Sequence, residues 1–179
     1  MAARRSYVEI ISEFYPDILV QAIGDGFDYS LLQSSDILPT QADLDIKGLF
    51  LLRKDIWKEI QARRDYRKAA GIKITGNWYH SDDTSRIQQL ALVMFGANMP
   101  ADILWKTMQG TFIQMTPQLA MSIFQTIAGL DQAVFSKAEF HRQTMILSQD
   151  PVNYDYTVGW PQIYEESTER ANLVAGGYQ

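Results

Sequence analysis

The chain has 179 residues, 46% hydrophobic and 21% charged, the proportions of a soluble globular protein with one ordinary domain or one domain plus an appendage. A formal net charge of −5 argues against general attraction to nucleic acid, and the absence of cysteine excludes disulfides and thiol chemistry. No apolar run approaches the roughly 18 residues a membrane span needs, and the basic start at residues 1–5 has no apolar stretch after it, which reads as a protein made and used without secretion.

Residues 1–38 read as a small α/β segment. Pro16-Asp17 breaks an apolar run, predicting a short element before it and a strand after it. Gly24-Asp25-Gly26 is a turn, and residues 27–33 are a second strand closed by Ser34-Ser35-Asp36. Pro39-Thr40 opens a connecting amphipathic helix over 39–70, with Thr40 and Asp43 forming a variant capping box. Leu49, Leu52, Ile56 and Ile60 fall on one face, widened by Phe50 and Trp57, and Gly71 ends the helix. The helix is basic between acidic chain ends (Arg53, Lys54, Lys58, Arg63, Arg64, Arg67, Lys68), so it can pair internally or with a neighbouring subunit. Glu59 and Arg63, four residues apart, read as a solvated face rather than a nucleic-acid contact.

Residues 71–148 play one pattern twice, a hairpin running into a capped helix. In the first module Gly76-Asn77 is read as the two-residue turn, with Thr75 opposite Trp78 and Ile74 opposite Tyr79. That puts Ile72, Ile74 and Tyr79 on one face, Trp78 and His80 on the other. Ser81 is the expected N-cap, followed by Asp82 and Asp83 at the positive end of the helix dipole. Ile87, Leu90, Ala91, Met94 and Phe95 make a stripe expected to face the core, and Gly96 stops it. In the second module Gln109-Gly110 is the turn, which places Trp105 and Phe112 on a shared face, diagonal to one another. Thr116-Pro117 then opens a helix of roughly 30 residues, with Ala120, Ile123, Ile127, Leu130, Val134 and Ala138 as a seam suited to helix packing or to an isologous dimer. Gly129 interrupts that helix, as a close approach or a weak point.

Asp150-Pro151 ends regular structure. Residues 149–179 carry Tyr154, Tyr156, Trp160, Tyr164 and Tyr178 among polar residues, too little to bury a core, and read as an aromatic strap on the chain's own domain or on a partner.

Chemistry-bearing constellations are sparse. His80-Ser81-Asp82 has the residue types of a triad, but adjacent residues rarely reach triad geometry and a helix cap explains them better. His80 and His141 are the only histidines, too few with no cysteine for a structural zinc site, and His141 is read as a packed or surface residue. Gly24-x-Gly26 lacks the full dinucleotide fingerprint. Asp82/Asp83 is the adjacent carboxylate pair near aromatics that an enzyme acting on surface glycans would have to use. The expectation is therefore no catalytic residue, no metal and no cofactor.

Three runs together carry a resemblance: Gly76-Asn77-Trp78-Tyr79-His80-Ser81-Asp82; Trp105-Lys106-Thr107-Met108-x-Gly110-x-Phe112; and Asp150-Pro151-x-x-Tyr154-Asp155-Tyr156-x-x-Gly159-Trp160-Pro161. Over about residues 60–161 the chain resembles an uncharacterised domain family of tailed-bacteriophage tail-fibre and tail-associated proteins. The segment from Tyr15-Pro16-Asp17 to Pro39-Thr40-x-Ala42-x-Leu44-Asp45 is more weakly similar to small XkdW-like prophage tail proteins. With no long fibre-forming region ahead of the domain, the resemblance implies a small accessory component of the virion tail, present in the host cytoplasm during assembly. Its implied role is a non-enzymatic adaptor or baseplate protein that attaches or supports a tail fibre; the alternative is a fibre-assembly chaperone not retained in the virion. The implied partners are phage tail, baseplate or tail-fibre proteins in a homo-oligomeric or multi-copy assembly, without nucleic acid or membrane. The interface residues expected from the aromatic hairpins and strap are Trp78, Trp105, Phe112, Tyr154, Tyr156 and Trp160. The fold class expected is α+β.

Overall fold

A computed structural model describes residues 3–169. The class is α+β, with helices alternating with two-stranded antiparallel sheets. The described residues pack as two compact units, one within Met1–Gln61 and His141–Tyr156, the other within Ala62–Phe140 and Thr157–Gln179. This grouping differs from the segments at 1–38, 39–70, 71–148 and 149–179, because the unit boundary falls inside each of the two long helices.

In the first unit, helix α1 (Tyr7–Phe14) starts at a full capping box: Ser6 Oγ accepts from the Glu9 amide, and the Glu9 carboxylate accepts from the Ser6 amide at 2.7 Å. Strands β1 (Val20–Ala22) and β2 (Leu32–Ser34) pair antiparallel, with Val20 opposite Ser34. The strand expected over 27–33 begins only at Leu32, since Asp28 accepts the Ser30 amide at 2.9 Å and caps a single 3-10 turn first. Helix α2 (Gln41–Ala69) opens as expected, its Asp43 amide donating to Thr40 Oγ1 at 3.2 Å.

Ile10, Ile11, Leu44 and Leu51 form the core of this unit. Of the stripe read on α2, Leu52, Ile56 and Ile60 are buried, whereas Leu49 and Phe50 are exposed. The inward line runs instead through Leu44, Gly48 and Leu51. Gly48 is where α1 meets α2, since a Cβ there would sit 2.9 Å from Ile10 Cδ1. A pattern of apolar side chains cannot register a contact made by a residue that has none.

In the second unit, strands β3 (Ile72–Ile74) and β4 (Asn77–Tyr79) pair with Ile72 opposite Tyr79 and Ile74 opposite Asn77. The turn is therefore Thr75-Gly76, both at positive φ (46° and 89°), one residue earlier than the expected Gly76-Asn77. Helix α3 (Asp83–Phe95) is capped by Asp82, which accepts the Ser85 amide at 3.0 Å; Ser81 is not the cap. Ser81 is buried one residue earlier, its hydroxyl accepting the Gly71 amide at 2.9 Å and donating to the Lys68 carbonyl at 2.8 Å. It ties the end of α2 to the end of β4.

Strands β5 (Leu104–Lys106) and β6 (Phe112–Gln114) pair with Trp105 opposite Ile113 and Lys106 opposite Phe112. Thr107 and Thr111 close a three-residue loop, the Thr107 amide donating to the Thr111 carbonyl at 2.8 Å. Helix α4 (Pro117–Leu147) begins at Thr116, whose hydroxyl accepts the Leu119 amide at 3.1 Å. Its seam is buried as expected through Ala120, Ile123, Ile127, Val134 and Ala138. Ile72, Tyr79, Leu92, Met115, Ala120, Ile123 and Ile127 make the core of this unit, so that part of the seam is covered from within the chain.

Candidate interaction surface

The outward face of α3 overturns the sequence expectation most sharply. Ile87 is 71% exposed and Met94 80%, and Leu90, Ala91 and Phe95 are exposed with them. The residues that point inward are Gln89 and Leu92. Polar anchors fix this rotation. The Gln89 amide donates to the His80 carbonyl at 2.8 Å, and Arg86 donates to the backbone carbonyls of Ser81 and Lys68. Arg86 also holds both carboxylate oxygens of Asp131 on α4, at 2.7 and 2.9 Å. A buried amide and a forked guanidinium at fixed positions leave α3 one orientation, and the apolar stripe lies on the far side.

The second hairpin adds another apolar face. With Trp105 opposite Ile113, both lean on the core, and Lys106, Phe112, Leu104 and Gln114 share the opposite, outer face. Leu104 is 63% exposed and Phe112 65%. The diagonal Trp105–Phe112 contact expected from a two-residue turn does not form, because the three-residue loop moves Phe112 to the other face.

The six expected interface residues divide accordingly. Phe112 stands on open surface. Trp105 is half-buried against the core. Trp78 is buried; its ring meets that of Tyr164 edge to face at 5.8 Å, its amide donates to the Gln109 side chain and its carbonyl accepts the Met108 amide. Tyr154 lies 2.7 Å from His141 Nδ1, the two groups hydrogen-bonded and their rings edge to face; Tyr156 bonds Glu59. Trp160 is half-buried. The strap thus lies on its own chain within each unit. In the second unit its anchor is Arg67, almost fully buried, which donates to the Pro161 carbonyl and pairs with Glu166. The Tyr164 amide reaches the Ala70 carbonyl at 3.2 Å, and residues 164–169 are helical. Tyr178 lies outside the described residues.

Arg86 and Gln89 are residues that sequence reasoning passed over, and Arg67 is named in it only as part of the basic face that can pair internally. Each sits at a position a hydropathy pattern scores as surface, although Arg67 continues the buried line of α2 seven residues beyond Ile60, which is the signal that points to it. The basic face of α2 is partly spent internally. Arg53 donates to the Ile146 carbonyl at 2.8 Å, Lys58 pairs with Asp55, and Arg64 lies over the Phe135 ring at 4.5 Å.

Two of the groups with catalytic residue types, Ser81 and Asp82, have architectural roles. Ser81 Oγ is engaged by two backbone groups, and the Asp82 carboxylate is held below the usual aspartate range by the hydroxyl of Ser85 and, to a lesser degree, by its amide. Asp83 occupies the first turn of α3, exposed. Among the described residues no three His, Cys, Asp or Glu side chains converge as a metal set, and no helix is long and apolar enough to cross a membrane. A cleft of about 440 Å³ in the first unit has a floor of Ile10, Leu44 and Leu52 and a rim of Arg4, Phe27 and Asp45; the Asp45 carboxylate accepts the Tyr7 hydroxyl at 2.7 Å.

The arrangement is that of a scaffold that holds apolar side chains outward on polar anchors. By sequence, residues 52–158 match the family described as Domain of unknown function (DUF4376), and the chain belongs to that family. No curated protein and no solved structure gave a match.

Proposed function

We propose that this chain is a non-enzymatic bacteriophage tail protein, an adaptor or baseplate component that attaches or supports a tail fibre by protein–protein contact. The observation that carries the reading is the outer face of the β5–β6 hairpin. Leu104, opposite Gln114, and Phe112, opposite Lys106, stand diagonal to one another on a surface that its own core does not use. An aromatic and an aliphatic anchor ringed by one cation and one amide is the composition of a binding hot spot, where burial of the apolar pair supplies affinity and the rim supplies register. The hairpin lies inside the family-matched segment, and its stretch from Trp105 to Phe112 is one of the three runs that carry the resemblance to tail-associated proteins. In the His80-Ser81-Asp82 run the His80 carbonyl accepts the Gln89 amide, the Ser81 hydroxyl joins the Gly71 amide to the Lys68 carbonyl, and the Asp82 carboxylate caps α3.

Mass spectrometry of purified virions from the encoding phage tests the reading. A fixed copy number in the particle, lost on Phe112→Asp together with the fibres, supports it. Absence from the particle combined with binding to the fibre protein during assembly replaces it with the chaperone role. Absence from both overturns it.

A further inference from the structure

We infer that two copies of this chain associate through the outward stripe of α3, antiparallel across a two-fold axis. This stands on α3 alone and does not depend on what the β5–β6 hairpin binds.

Ile87, Leu90, Ala91 and Met94 recur at three-, one- and three-residue steps, the spacing that closes one helix face over two turns, with Phe95 at its edge. Core-forming side chains at this spacing normally mark the buried side of a helix, yet here the buried side is Gln89 and Leu92. The face offers on the order of 500 Å² per copy, a large part of the ~800 Å² that each partner of a standard interface contributes. Ala91 in its middle leaves room for a second helix at the ordinary interaxial distance of about 8–10 Å.

Charge decides the occupant. From Ile87 through Ala101 the chain carries no charged residue, so the face neither repels its own copy nor carries the charges by which a charged partner would be selected. Charge also decides the orientation. Asp83 sits exposed in the first turn of α3, and no basic residue stands in the last turn. Parallel pairing would place two Asp83 carboxylates and two positive helix ends together. Antiparallel pairing keeps them apart and opposes the helix dipoles. With the axis between residues 90 and 91, Ile87 faces the partner's Met94 and Leu90 faces the partner's Ala91. The arrangement is isologous and closes at two.

Sedimentation velocity on the full chain tests this. The wild type is expected to be a dimer at tens of micromolar, and Leu90→Glu/Met94→Glu, a change at solvent-facing positions, is expected to weaken dimerisation at least tenfold with an unchanged circular dichroism spectrum. A wild type that stays monomeric to 100 µM overturns the inference, as does a double variant that dimerises like the wild type. Spin labels on Asp83→Cys, in a chain with no cysteine of its own, are expected to lie about 20 Å or more apart along the helices. A separation near the interaxial distance of about 10 Å would mean parallel pairing and would contradict the seam described.

Discussion

Thr75 holds a backbone conformation that its side chain resists. A β-branched residue at φ 46° bears the crowding between Cβ and the following carbonyl that glycine lacks and that asparagine offsets by local hydrogen bonding of its short polar side chain. The neighbouring Gly76, at φ 89°, has no such conflict. Thr75→Asn is therefore expected to raise stability by about 0.5–1 kcal/mol, seen as a higher urea midpoint; a lower midpoint would mean the threonine side chain makes a contact that outweighs the strain. Ser81 is the opposite case. Its buried hydroxyl satisfies the Gly71 amide and the Lys68 carbonyl at once, so Ser81→Ala is expected to cost about 1–3 kcal/mol by the same titration. Gly129 has open space where a Cβ would go, so no close approach from within the chain requires a glycine there. Gly129→Ala is expected to add about 1 kcal/mol.

Elements were legible in the sequence wherever a local signal fixed them, and misread where the decisive contact was long-range or polar. Both hairpins were visible from their glycines, and both registers were displaced. In the first the turn lies one residue earlier, which shifts the pairing by two and leaves Ile72, Ile74 and Tyr79 on the face predicted for them. In the second a three-residue loop replaces a two-residue one, which shifts the pairing by one and sends Phe112 to the outer face. An even slip is silent and an odd slip inverts the strand. The rotation of α3 was hidden for another reason. Apolar periodicity identifies a face but not its direction, and here Arg86 with Asp131 and Gln89 with the His80 carbonyl choose the direction. The strap was read as lying on its own domain or on a partner, and within the described residues it lies on its own chain. Its anchor Arg67 is a basic residue on a helix that reads as solvated, and its place on the buried line seven residues beyond Ile60 is the local signal for a contact that is itself long-range.

Acid sensitivity belongs to the molecule as a whole, because the responsible carboxylates are spread over both units. Glu9 is held below its usual range by the amide and hydroxyl of Ser6, and Asp55 by Arg5 and Lys58. Asp82 is lowered by Ser85, and Glu166 by Arg67. A carboxylate whose pKa is depressed by folding contributes stability that is complete above its unfolded value, about 4, and is lost as pH falls through the folded value. The urea midpoint is expected to change little between pH 7 and 5 and to fall steeply below about pH 4. Asp55→Asn is expected to make that fall shallower, and an unaltered slope would mean the pair with Arg5 does not persist in solution.

The dimer seam rests on α3 turning its apolar stripe outward on polar anchors, so that the surface is available to a second copy of the chain. Unfolding of the dilute monomer in urea tests this directly. Ile87→Lys/Met94→Lys is expected to leave stability within about 0.5 kcal/mol of the wild type, while Leu92→Ala on the same helix costs about 2–5 kcal/mol. A loss of several kcal/mol in the lysine variant, with Leu92→Ala near neutral, would place the stripe in the core and contradict the account.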